Sequence, residues 1–145
     1  MRRILFKAKC KDTGKWVEGG YGEIPAPPQC FGETQPPEVC IVCADPRYTP
    51  DWNLPYKMVM VEVRPETVCQ FTGFFDQNGD RIFEGDILND TVSDGIATWV
   101  PEHGAFMIRE VGHDGNVTQY HRLEGDATRK NTHIKGNIHD KEETT

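Results

Sequence analysis

Apolar and polar residues alternate at the start of the chain, with Ile4, Phe6, Ala8 and Cys10 on one side and Leu5, Lys7 and Lys9 on the other. A period of two predicts a half-buried strand, and Asp12-Thr13-Gly14 supplies a turn back into Trp16 and Val17. The same period returns after Lys57, where Val59, Val61 and Val63 alternate with Met58, Met60 and Glu62. Further short runs follow at 96–100, 105–111, 117–123 and 133–138. The segments between them, Pro101 to Gly104 and Gly112 to Asn116, are rich in turn formers, and Asp114-Gly115 is a good hairpin signal. Several short strands at close spacing predict a mainly β chain folded as a small barrel or sandwich, with helix confined to a turn or two near Leu123 to Lys130.

Between Pro25 and Tyr56 the pattern breaks. Eight of the ten prolines fall here, and each removes a backbone donor and restricts the residue before it. Regular structure is not expected over most of this stretch, which reads as a long proline-rich arm. Phe31, Tyr48, Trp52 and Tyr56 favour an arm that packs on something over a free linker. The chain thus divides into N-terminal strands (1–24), the arm (25–56), a β-barrel core (57–140) and a flexible tail (141–145).

The densest signal is TVCQFTGFFDQNGDRIFEGDIL, from Thr67 to Leu88. Asn78-Gly79 tolerates the two positive φ values of a type I′ turn, which predicts a hairpin tip there. After Ile82 and Phe83, Gly85 can bend the chain while Asp86 bonds nearby backbone N–H groups. The acidic residues at 76, 80, 84 and 86 also raise a calcium loop, which needs glycine sixth and glutamate twelfth. Counted from Asp76, Gly79 is fourth and Ile87 twelfth, so that reading fails.

Three blocks carry a family resemblance: ILFKAKCKDTGKWVEGGY from Ile4 to Tyr21, RPETVCQFTGFFDQNGDRIFEGDIL from Arg64 to Leu88, and IKGNIH from Ile134 to His139. Together they make the chain similar to the YopX-like proteins of phages and prophages of Gram-positive bacteria. Cys69, Phe74, Phe75 and His139 depart from the residues usual in that pattern. The resemblance implies a small Src-homology-3-type barrel in the C-terminal half and a phage setting, and it implies no particular chemistry. Gly73, Asp76, Asn78, Gly79, Gly85, Asp86 and Gly136 are the motif positions expected to shape the backbone.

The formal charge of -7 argues against nucleic acid, because phosphate binding draws on clustered Lys and Arg. Arg2, Arg3, Lys7, Lys9, Lys11 and Lys15 do cluster near the N-terminus, and they read as a solvated strand face. No run approaches the roughly 18 apolar residues needed to span a bilayer, and no apolar secretory stretch opens the chain. An intracellular protein of the host cytoplasm with reduced thiols is expected. Cys40-x-x-Cys43 with Cys30 nearby is the arrangement that invites zinc, but a structural site needs four ligands, and CIVC is apolar enough for a core strand. Buried thiols are favoured, with no metal and no cofactor. No hydrolase, phosphate-loop or dinucleotide motif is present, and nothing in the sequence pairs a base with Cys69.

Glu84, Asp86 and Asn137 are the polar residues of the family-matching blocks and the candidates for partner or ligand binding, with turn capping as the simpler role. Arg47, Tyr48 and Trp52 are the candidates on the arm. The favoured function is a non-enzymatic, homo-oligomeric binding module acting on a host or phage protein, with the arm and opening strand at the subunit contact. The alternatives are a counter-defence protein that sequesters a small nucleotide signal between subunits, and a small hydrolase.

Overall fold

The computed structural model describes residues 2–28, 32, 34–45, 57–89, 94–112, 114–123 and 130–140. Strands run over Phe6–Lys9 (β1), Trp16–Ile24 (β2), Glu38–Ala44 (β3), Met58–Glu62 (β4), Cys69–Phe75 (β5), Arg81–Phe83 (β6), Asp86–Asn89 (β7), Asp94–Val100 (β8), Ala105–Val111 (β9), Val117–Arg122 (β10) and His133–Asn137 (β11). A 3-10 turn, Pro65–Thr67, precedes β5. The chain is mainly β, as its alternating pattern requires, and it forms two compact units, Leu5–Val68 and a second made of Met1–Ile4 with Cys69–Thr145.

In the Leu5–Val68 unit, β1 pairs with β2, β2 with β3 and β3 with β4, all antiparallel. Ala8, Val39, Ile41 and Val63 form its core, with Phe6, Val17, Cys43, Val61 and Val68 packed around them. The apolar CIVC lies, as a core strand should, within a seven-residue strand of the arm: EVCIVCA has few turn formers of its own, and β2 and β4 satisfy its backbone on both sides. One expectation changes here. The strand from Met58, grouped by sequence with the C-terminal core, pairs with β3 instead, so that the core of the second unit begins at Cys69 and not at Lys57.

Lys9 departs from the solvated basic face. It is buried, and its ammonium lies 5.5 Å from the Trp16 ring centroid, with that of Lys7 at 4.6 Å. The quadrupole of the indole attracts both cations, which offsets part of the cost of covering Lys9 on the polar side of β1.

In the second unit, β5 and β6 make a hairpin, and β10-β9-β8-β7-β11 form an antiparallel sheet. Ile82, Leu88, Ala97 and Leu123 are its buried core, with Phe74, Phe106, Ile108 and Ile134 around them. Burying a side chain the size of Ile82 or Leu88 stabilises by about 1.5–3 kcal/mol. The sheet is open, with β10 and β11 at its ends, and does not close into the expected barrel.

The hairpin tip lies where Asn78-Gly79 placed it, with a different turn. Gly79 has φ 80°, whereas among the described residues every positive φ belongs to a glycine, so Asn78 does not take the left-handed conformation of a type I′ turn. Asp76 N–H donates to the Asp80 carbonyl (2.9 Å) and Gly79 N–H to the Asp76 carbonyl (3.1 Å), leaving a three-residue loop closed by one left-handed glycine. The carboxyl of Asp76 selects this form, since its Oδ1 accepts from the N–H groups of Asn78 and Asp80, each at 2.9 Å. The loop at Gly112 to Asn116 repeats the device with Gly115 at φ 80° and Asp114 Oδ1 accepting from Asn116 N–H. The short helix expected near Leu123 to Lys130 falls largely outside the described residues.

Candidate functional site

The signature residues are brought together, and their chemistry is used inward. Asp86 is 1% exposed and Asn137 3%. Asp86 Oδ2 accepts from Phe83 N–H (2.8 Å), and its Oδ1 accepts from the Asn137 side-chain amide (2.9 Å). That amide also reaches the Glu84 carbonyl at 3.4 Å and lies 4.0 Å from the Cys69 sulfur, while Asn137 Oδ1 accepts from His139 N–H at 3.0 Å. This network ties the β6–β7 corner to the end of β11. At the corner Gly85, with φ 83°, donates its N–H to the Ala97 carbonyl (2.7 Å) and accepts from Ile138 N–H (3.0 Å). A side chain there would meet Ile138 and Asn137.

Asp76, also 1% exposed, extends its Oδ2 to Ile134 N–H at 3.2 Å and so holds the hairpin tip against β11. Gly73, at φ 91°, lies in the irregular part of the β5 register, and Gly136 lies at that of β11. Asp76 and Asp86 therefore orient backbone, because the oxygens placed above are spent on N–H donors within the fold.

On the strand β3, Cys40 and Cys43 are three residues apart and project to opposite faces, since side chains alternate along a strand. Cys40 is buried, with its thiol 3.5 Å from the Gly22 carbonyl, and burial pushes the Cys43 thiol above its ordinary range. The spacing that suits a zinc knuckle in a turn does not converge on one ion in a strand. Cys30, Arg47, Tyr48 and Trp52 lie outside the described residues.

Glu84 behaves differently from its neighbours in the motif. It lines a groove of about 680 Å³ in the second unit, together with Arg2, Gln70, Thr72, Phe74, Trp99, His103 to Met107, Arg122 and Leu123. The apolar wall is built around Trp99 and Phe106, whose rings meet edge to face at 5.0 Å, and Trp99 remains 43% exposed. His103 lies on the β8–β9 turn, which Gly104 closes at φ 57°. Arg2 and Arg122 are exposed and, among the described residues, make no ion pair. Sequence reasoning flagged Glu84 and missed the rest, because the groove residues come from segments far apart in the chain and each reads singly as ordinary strand or turn.

Desolvation holds the Glu84 carboxyl above its ordinary value of 4.5, opposed in part by a hydrogen bond from the Gln70 backbone. The folded state thus binds a proton that the unfolded state has lost, so stability falls as pH rises from 4.5 through the raised folded-state pKa. Glu84→Gln is expected to raise the melting temperature at pH 7 and to match the parent at pH 4, as thermal melts across that range would record. A variant less stable than the parent at pH 7 would mean that the ionised carboxylate is paired within the groove.

Residues 39–144 match the family model described as YopX protein. The match covers the second and third signature blocks and leaves the first, from Ile4 to Tyr21, outside it. No curated protein matches the chain.

Proposed function

The chain belongs to the YopX family, and from that membership and the groove on the Cys69–Thr145 part we propose a non-enzymatic binding module of phage origin that holds a small charged ligand beside Trp99. The observation that carries this reading is the convergence, in one cavity of small-ligand size, of an exposed indole, exposed arginines and a desolvated carboxyl. Fixed polar groups set in an apolar wall are how such sites orient what they bind.

The non-enzymatic part is supported by the lining. Thr72 carries its nucleophilic hydroxyl, and that hydroxyl donates to the Ile82 carbonyl at 2.7 Å, which leaves it poorly placed to attack a ligand. A homo-oligomer acting on a host or phage partner in the host cytoplasm completes the reading. Met58 and Met60, 70% and 61% exposed on the outer strand β4, are apolar surface of the kind subunit contacts cover. Among the described residues, no helix is long and apolar enough to cross a membrane.

Thermal-shift measurements on the full chain, with a panel of charged metabolites and nucleotides, test the groove. At about 100 times its Kd a ligand adds about 2.7 kcal/mol of stability, a rise of several degrees. That rise should vanish in Trp99→Ala and Arg122→Ala, whose side chains are exposed and whose fold should persist. A panel without any stabilising ligand, or stabilisation that survives both substitutions, would reject the site. Light scattering checks the assembly, and a monomer at micromolar concentration would refute it.

A further inference from the structure

The groove also carries an argument about what kind of ligand fills it, which rests on the binding reading above. Trp99 offers an exposed indole held at a fixed angle by Phe106, with 68° between the two ring planes. A rigid exposed indole is a stacking platform for a flat heteroaromatic ring. Arg2, Arg122 and His103 line the same cavity, and guanidinium forks favour phosphate, which they bind in a bidentate manner.

Glu84 sets the third requirement. Its carboxyl is half-buried, lines the same groove as Trp99 and Arg122, and has one backbone donor, from Gln70, which leaves lone pairs that a ligand's N–H groups can meet. A ring that presents two adjacent N–H donors would match both carboxyl oxygens. Guanine does this through N1–H and its 2-amino group, whereas adenine presents the lone pair of N1 at the same edge and would repel the carboxylate. A ligand that sets a lone pair against a carboxylate loses the hydrogen bonds its competitor makes, which is what separates the two bases.

We propose that the groove binds a guanine nucleotide, with the base stacked on Trp99, its Watson–Crick edge on Glu84 and its phosphate on Arg122 and Arg2.

Calorimetric titration of the full chain with guanosine, inosine and adenosine 5′-monophosphates and with inorganic phosphate tests this. The guanosine form should bind at least about tenfold more tightly than the adenosine form, with inosine, which lacks the 2-amino group, between them. Glu84→Gln should abolish that preference, and circular dichroism would verify that the variant is folded. Arg122→Ala should weaken all three nucleotides alike. Equal or tighter binding of the adenosine form, or a guanine preference that survives Glu84→Gln, would overturn the proposal. If another compound from the thermal-shift panel binds at Trp99 and guanosine monophosphate does not, the guanine assignment falls while the groove stands. If nothing binds, both fall.

Discussion

Asp86→Ala is expected to destabilise the second unit by about 3–5 kcal/mol, among the larger effects of single substitutions. Removing the carboxyl leaves Phe83 N–H and the Asn137 amide without the acceptors they have at 2.8 and 2.9 Å, inside a cluster where both side chains are nearly inaccessible. Each stranded buried donor costs about 1–3 kcal/mol, and water has little room to replace the lost oxygens. Asp86→Asn keeps the shape and one acceptor and should cost less. Urea denaturation followed by tryptophan fluorescence would give both values. A loss below about 1 kcal/mol for Asp86→Ala would show that the network contributes little and that Asp86 owes its place in the signature to something else.

Gly19→Ala is expected to weaken the Leu5–Val68 unit by about 2–4 kcal/mol, through overpacking at a backbone contact that cannot yield. A methyl group on Gly19 would fall on the carbonyl oxygen of Val42 in β3 and also press on Ile41, so β2 and β3 would have to part. The neighbouring Gly20 provides the control, because a methyl there meets the Val42 Cβ at 4.0 Å, an ordinary contact. Gly20→Ala should therefore change stability by less than about 1 kcal/mol. Thermal melts and hydrogen exchange at the amides of 39–42 would compare the pair. Equal effects of the two substitutions would contradict this account.

Most strands were legible from local pattern. Ala105–Val111 was bounded to the residue by its alternation and the turns beside it, and the runs at 96–100, 117–123 and 133–138 differ from the strands by a few terminal residues. The hairpin at Asn78-Gly79 was legible as a place but not as a turn type, because the choice was made by the Asp76 carboxyl, which reaches both the loop and Ile134 in β11. Strand partners were less legible. Alternation says that Val59, Val61 and Val63 have a buried side but not whose core they join, and the apolar CIVC suits a core strand without showing that β2 and β4 are its neighbours.

By itself, then, the sequence determined the β character, the positions of the turns and the family, since each is written in short-range periodicity or in a contiguous signature. The tertiary structure decided everything that depends on residues meeting at a distance. It turned Asp86 and Asn137, 51 positions apart, into a buried clamp, and it sent Cys40 and Cys43 to opposite faces of one strand. It also gathered Glu84, Trp99, Arg122 and Arg2 around one groove. The physical reason is common to all three: a polar side chain's role is set by how much water it keeps and which groups it faces, and the fold fixes both.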